Sequence, residues 1–180
     1  TLFRSVKPDI QTMDKLSRFQ QVFQDRVVLV TGAGSGIGRQ TALSFAAAGA
    51  TVVLGDVNLE AADQTADEIK RAGGKAMSVS VDVTQADQVS QFVKTAVSSF
   101  GRLDYAINCA GISGGTFPIQ DYPQDAWDQV LSVNLTGSWL CLKHEVAQML
   151  SQDSGGTIVN VASMVGLIGF PSATAYAAAK

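Results

Sequence analysis

The sequence predicts an α/β fold, a doubly wound parallel sheet with helices on both faces, and three observations carry that prediction. Short apolar runs alternate with helix-patterned stretches along most of the chain. A glycine-rich turn, Thr31-Gly-Ala-Gly-Ser-Gly-Ile-Gly38, joins the first apolar run to the first helical pattern. Each later run ends on small or polar residues: Gly55-Asp56, Asp82-Val83, Asn108-Cys109-Ala110-Gly111 and Ala162-Ser163. Strands that alternate with helices connect by right-handed crossovers, which leaves the strands parallel and both sheet faces covered.

The elements follow in order. After Arg26, the run Val27-Val28-Leu29-Val30 has no polar break, as expected of a strand buried on both faces. Ile37, Thr41, Ala42, Phe45 and Ala46 then repeat at helical spacing up to Gly49. A second strand is expected over 51–54. A polar helix over about 59–72 stops at Gly73-Gly74. The pattern continues with a strand over 76–81, a helix over about 86–100 and a strand over 105–108. One long helix is expected over about 125–150 and a fifth strand over 157–161.

At 180 residues, one domain is the default. The composition, 46% hydrophobic and 16% charged, supports a buried core and excludes a disordered chain. A net charge of −3 argues against a nucleic-acid partner, which would need a basic face. No apolar run reaches the ~18 residues of a membrane span, so no membrane partner is expected. The cysteines, Cys109 and Cys141, read as reduced thiols of a cytoplasmic protein. His144 is the single histidine, which excludes a Ser-His-Asp triad and a multi-histidine metal centre; no metal is expected.

Residues 1–24 read as an N-terminal extension ahead of a domain at 25–180. Met13, Leu16, Phe19 and Phe23 fall at roughly helical spacing there, which fits an amphipathic arm packed on the domain as well as a disordered tail. Asp9 and Asp14 speak against a transit peptide.

The turn after the first strand has the chemistry of a phosphate site. Gly32 permits a tight turn, Gly36 lets backbone approach a pyrophosphate, and Gly38 lets the helix pack on the strand. Gly34, Ser35 and Ile37 complete the turn, and the helix N-terminus behind it offers free N–H groups. Asp56, roughly 20 residues on, can accept both hydroxyls of a ribose and repels a 2′-phosphate. Its neighbours Ser35 and Val57 carry no compensating charge, which favours NAD over NADP; Arg39 is the nearby cation that speaks the other way. Asp82 and Val83 are placed to meet an adenine, and Asn108, Ala110 and Gly111 to border the same crevice. Each could equally be a strand-end cap. Tyr176 and Lys180 stand at i and i+4, on one helix face. An ammonium there favours the phenolate, a device for moving the proton of an alcohol.

Taken in order, the glycine turn, Asp56, Asp82-Val83, Asn108-Cys-Ala-Gly111, Asn134, Ser163 and Tyr176-Ala-Ala-Ala-Lys180 resemble the short-chain dehydrogenase/reductase family, over residues 26–180. The resemblance implies a Rossmann fold, with five strands of a wider family sheet and the family's C-terminal part missing. It implies an NAD(P)-dependent oxidoreductase that moves hydride between nicotinamide and a secondary alcohol or ketone. Tyr176 is then the general acid/base, and Lys180 supports it and binds the nicotinamide ribose. Ser163 positions the substrate oxygen, and Asn134 holds a relay water. A full-length parent is expected to be a homo-oligomer. Cys109 departs from the family, which usually has a second Asn there.

Two other readings stay open: an NADPH-dependent 3-oxoacyl thioester reductase, and a truncated, non-catalytic dinucleotide-binding module. The stop at Lys180 motivates the second, because it would leave an open strand edge and a poorly soluble piece. His144 and Glu145 are expected on the solvated side of the long helix, and Cys141 in the core. Met164, Val165 and Phe170 suit either an apolar substrate pocket or loop packing.

Overall fold

The computed structural model describes residues 22–180. Five strands form one sheet among them: β1 (Val27–Thr31), β2 (Thr51–Asp56), β3 (Lys75–Ser80), β4 (Tyr105–Asn108) and β5 (Thr157–Asn160). The spatial order is β3-β2-β1-β4-β5, and every pairing is parallel. The intervening helices are α1 (Gly36–Ala47), α2 (Leu59–Arg71), α3 (Ala86–Phe100), α4 (Gln124–Val130), α5 (Ser138–Leu150) and α6 (Thr174–Ala179). The doubly wound fold expected from the sequence is the fold found.

Side chains of β1 leave the sheet alternately toward two cores. Val28 and Val30 join Ala42, Val52, Leu54 and Ile69 on the face covered by α1 and α2. Val27 and Leu29 join Val53, Phe92, Val93, Ala106 and Leu140 on the face covered by α3 and α5. A strand enclosed on both sides has no solvent position, which is why its apolar run is unbroken. Order around β1 also puts the carboxyl ends of β1, β2 and β4 side by side, with Thr31 in register with Gly55 and with Asn108. The strand order reverses at β1, so the crevice between its two neighbours opens there.

The long helix expected over 125–150 is not uniform. A π turn over Leu131–Gly137 joins α4 to α5. The Ser138 hydroxyl donates to the Asn134 carbonyl at 2.7 Å, a side-chain bond at the end of the turn. Sequence periodicity does not resolve such a turn, because backbone angles at its ends stay α-helical.

One expectation is overturned. Glu145 is not solvated; it is fully buried, 0% exposed. Cys141, Glu145 and Met149 form one i, i+4 stripe turned toward the sheet, and an amide on β4 donates to the Glu145 carboxyl group. His144 is half-buried, whereas Cys141 is in the core as expected.

Of the apolar positions in the extension, Met13, Leu16 and Phe19 lie outside the described residues. Phe23 packs edge-on against Phe45 and Tyr105, with ring centroids 4.8 and 5.2 Å away. Among the described residues, no helix is long and apolar enough to cross a membrane.

The amino ends of β1 and β4 are tied by Asp104. Its carboxylate accepts from the Val27 N–H at 2.9 Å, from Arg26 at 3.1 Å and from Arg102 Nε at 2.7 Å. Burial alone would raise its pKa; the Arg102 and Val27 hydrogen bonds overcome this and hold it below the ordinary carboxylate value. A depressed folded pKa contributes stability above the ordinary value and loses it as pH falls through the folded one. Asp104→Asn is therefore expected to destabilise the fold by about 1–3 kcal/mol at pH 7. It should also flatten the stability curve below pH ~4, which denaturant titration across acid pH would measure.

Candidate functional site

A cleft of about 720 Å³ opens at the carboxyl ends of the central strands. Its lining brings together residues from the whole length of the domain. Gly32, Ser35, Gly36, Ile37 and Gly38 come from the turn after β1, Asp56 and Val57 from the end of β2, and Val81, Asp82 and Val83 from the segment after β3. Cys109, Ala110 and Gly111 follow β4, and Tyr176 and Lys180 come from the last helix.

The glycine turn is as tight as its sequence suggests. Gly32 has φ +65°, and a Cβ there would lie 2.9 Å from Cα and N of Ala110. A Cβ on Gly38 would lie 2.1 Å from the Gly32 carbonyl oxygen, so α1 starts in direct contact with the end of β1. Gly36, with φ +51°, is different: a Cβ there would meet nothing within 4 Å. Its open side belongs to the cleft, as needed for a ligand that approaches backbone. The donors and glycines present therefore fit a dinucleotide phosphate group.

Asp56 is fixed by backbone. Its Oδ2 accepts from the Gly34 N–H at 2.8 Å, and its Oδ1 from the Asn58 N–H at 2.9 Å. Gly34 is hemmed in, since a Cβ would fall 2.7 Å from that of Ala61. Arg39 is ion-paired with Glu68 on α2. Asp82 turns its Oδ1 onto the N–H and hydroxyl of Thr84, at 2.9 and 2.8 Å.

Lys180 and Tyr176 share a helix face, with the ammonium 5.8 Å from the ring centroid. Lys180 Nζ donates to the Val161 carbonyl at 2.8 Å. Burial pushes the Lys180 pKa down, against an opposing pull from Cys109. The Cys109 thiol is itself pushed up by burial. Asn134 is buried and binds Ile112 twice: its Oδ1 accepts from the Ile112 N–H, and its Nδ2 donates to the Ile112 carbonyl, both at 2.8 Å. A Cβ on Gly111 would sit 3.1 Å from Asn134 Oδ1 and 3.5 Å from Lys180 Nζ. Glycine at 111 is what lets these two groups converge.

Several sequence candidates stand apart from the lining. Asn108 lies one residue short of it, and its amide is spent on Glu145 and Asn160, at 3.0 Å each. Ser163 Oγ accepts from the Val165 N–H at 3.3 Å and caps a short 3-10 turn, Met164–Gly166. Met164 and Phe170 are exposed, at 73% and 61%. In the other direction, Ile112, Ser113, Gln129, Val133 and Val161 line the cleft and were not singled out from the sequence. Gln129 and Val133 are one helical turn apart, a pairing visible in the sequence but without chemical distinction. Val161 acts through its carbonyl, which no side-chain pattern reveals.

A model of the short chain dehydrogenase family matches residues 26–180. The chain belongs to this family of oxidoreductases. Cyclohexanol dehydrogenase of Acinetobacter sp. (strain SE19) is 42% identical over 158 residues, covering 88% of this chain and 62% of that protein. A 3beta-hydroxysteroid dehydrogenase of Mediterraneibacter gnavus is also 42% identical over 158 residues, covering 88% of this chain and 56% of that protein. The crystal structure of an NAD+-bound xylitol dehydrogenase superposes with a TM-score of 0.86 at 41% identity, covering 89% of this chain and 61% of that one. The short-chain dehydrogenase chain thus spans less than two thirds of the length of these relatives.

The two left-handed glycines of the turn after β1, Gly32 and Gly36, should separate on substitution. Gly36→Ala is expected to fold at a cost of about 1 kcal/mol, the price of a Cβ in the left-handed region. Gly32→Ala adds a clash with Ala110 backbone and should cost clearly more. Thermal denaturation of the two variants side by side checks the order.

Proposed function

We propose that this short-chain dehydrogenase chain carries the cofactor and proton-transfer half of an NAD-dependent enzyme acting on secondary alcohols or the matching ketones. One observation carries the reading: Tyr176 and Lys180 line the same cleft as the glycine turn and Asp56. A nicotinamide held there would take or return the hydride. The N–H groups of the glycine turn would bind the pyrophosphate, and Asp56 would accept from the adenosine ribose. A second negative group on that ribose would meet the Asp56 carboxylate, while the nearby guanidinium of Arg39 is engaged by Glu68. These two features support NAD over NADP.

The proton steps fall to side chains of the chain itself. Tyr176 would receive the alcohol proton during oxidation and return it during reduction. Lys180 spends one N–H on the Val161 carbonyl, which leaves two for the phenol oxygen and a ribose hydroxyl. Ser163 Oγ accepts from the Val165 N–H, so its own hydrogen is free to donate to a substrate oxygen. Asn134 would hold a relay water, its amide already fixed by two hydrogen bonds to Ile112. The substrate class draws support from the names of two relatives, a cyclohexanol dehydrogenase and a 3beta-hydroxysteroid dehydrogenase, both of which denote ring secondary alcohols.

A panel of cyclic secondary alcohols with NAD and with NADP tests the reading on the full-length protein. Tyr176→Phe is expected to lower kcat by about 10²–10⁴-fold with NAD affinity little changed. Asp56→Ser is expected to shift the ratio of kcat/KM values toward NADP. Undiminished turnover in Tyr176→Phe would remove the tyrosine from the chemistry, and an NADP preference in the unaltered protein would overturn the cofactor assignment.

A further inference from the structure

Behind the cleft, on the α5 side of the sheet, two buried oxygen atoms have no hydrogen-bond partner. They are Glu145 Oε1 and Asn108 Oδ1. Both belong to groups already joined, since Asn108 Nδ2 donates to Glu145 Oε2 at 3.0 Å. The second amide hydrogen goes to Asn160 Oδ1, also at 3.0 Å. The amide is therefore out of donors, and an ionised carboxylate has none. One unpaired acceptor remains on each of the two joined groups, in a place where a lone acceptor is costly.

One proton satisfies both. A carboxylic acid and a primary amide form a ring of two hydrogen bonds: the amide donates to the acid carbonyl, and the acid hydroxyl donates to the amide carbonyl. We propose that Glu145 is a neutral carboxylic acid in the folded protein, its Oε1 hydroxyl donating to Asn108 Oδ1, and that this proton positions the carboxyl end of β4. Asn108 is followed directly by Cys109, Ala110 and Gly111, which form part of the cleft wall. Glu145 is thus a positioning residue, acting on the wall through Asn108.

The surroundings agree. Glu145 is 0% exposed and Asn108 is 4% exposed. α3 meets α5 through Phe92, Val93 and Ala96, an apolar cluster shared with Leu140, Cys141 and Met149. β4 and β5 bring the amides of Asn108 and Asn160. Among the described residues, no ion pair includes Glu145. Cys141, one turn earlier, has its thiol pushed up to about 12 by burial and by Glu145, so it brings no charge near neutrality. Lys143, Lys94 and Asp87 act on His144, the residue before Glu145 on α5. Burial pushes the Glu145 carboxyl up to about 7, against the opposing pull of the Asn108 hydrogen bond.

The pH dependence has a definite sign. An acid whose folded pKa is raised gives stability that is complete below its unfolded value and is lost as pH rises through the folded one. Here the loss runs from the ordinary glutamate value to about 7. His144, whose pKa burial pushes down, works the other way in part of this window. Comparing the unaltered protein with Glu145→Gln cancels that contribution. The glutamine amide can make both ring hydrogen bonds and does not titrate.

The deciding experiment uses the intact protein labelled with 13C-glutamate. Infrared spectra at pH 6 should show the carbonyl stretch of a buried protonated carboxylic acid, absent from Glu145→Gln. Denaturant titrations at pH 5, 6, 7 and 8 should show the unaltered protein losing up to about tenfold in its folding constant per pH unit relative to Glu145→Gln, levelling above about pH 7. The amides of Cys109, Ala110 and Gly111 should exchange faster at pH 8 in the unaltered protein than in the variant. No protonated-acid band at pH 6, or parallel stability curves, would overturn the proposal. If Glu145→Gln does not fold, the band and its loss on raising pH in the unaltered protein still decide. The consequence for cofactor rests on the dinucleotide reading above: NAD binding should weaken with pH in the unaltered protein but not in the variant. Absence of NAD binding at every pH would sink that reading, while the infrared and stability results decide the proton.

Discussion

Gly38 lies so near the Gly32 carbonyl that a Cβ would fall 2.1 Å from its oxygen. That contact sets how α1 leaves β1, and the rest of the site follows from it. It directs the first turn of α1 toward the end of β1, where its free N–H groups face the crevice between β2 and β4. It also leaves the turn short enough for Gly34 to donate to Asp56. A larger residue at 38 would push the helix off the strand and break both arrangements at once.

The sheet supplies the frame for this contact. Thr31, Gly55 and Asn108 are in register across β1, β2 and β4, so the chain leaves three strands at one level. Parallel pairing is what makes this possible, because every carboxyl end points the same way. The Thr31 hydroxyl accepts from the Ala110 N–H at 3.3 Å, a further tie between the turn and the segment after β4. The amino ends are held in turn by Asp104, which joins β1 to the segment leading into β4. Cleft and anchor thus lie at opposite ends of the same two strands.

On the far side, the π turn does a local job with a distant result. It carries Asn134, whose two bonds to Ile112 brace the loop after Gly111. α5 then continues to Glu145, which reaches Asn108 just before that same loop. The helical stretch from Leu131 to Leu150 therefore grips the end of β4 at Asn108 and the segment after it at Ile112, through two amide groups. Glycine at 111 leaves room for Asn134 and Lys180 beside the backbone, so the grip and the lysine share one small space.

Much of this was legible in the chain alone. The unbroken run at Val27–Val30 is typical of a strand enclosed on both faces, and the glycine spacing placed a tight turn directly after it. Asp56, Tyr176 and Lys180, which line one cleft, stand out in the sequence as candidates because their chemistry is in the side chain and their spacing in the local element. The burial of Glu145 was misjudged because its residue type favours water, and only the amide of Asn108, 37 positions away, makes the buried position tolerable. Asn108 itself was read toward the cleft, since the sequence shows a strand end but not which face a side chain takes there. The π turn and the carbonyl of Val161 left no signature, because backbone groups look alike in every residue. The sequence by itself determined the elements, their order and the chemistry available to the site. Tertiary structure decided which of those groups meet, because a contact between distant positions depends on strand order and helix phase, which no local pattern records.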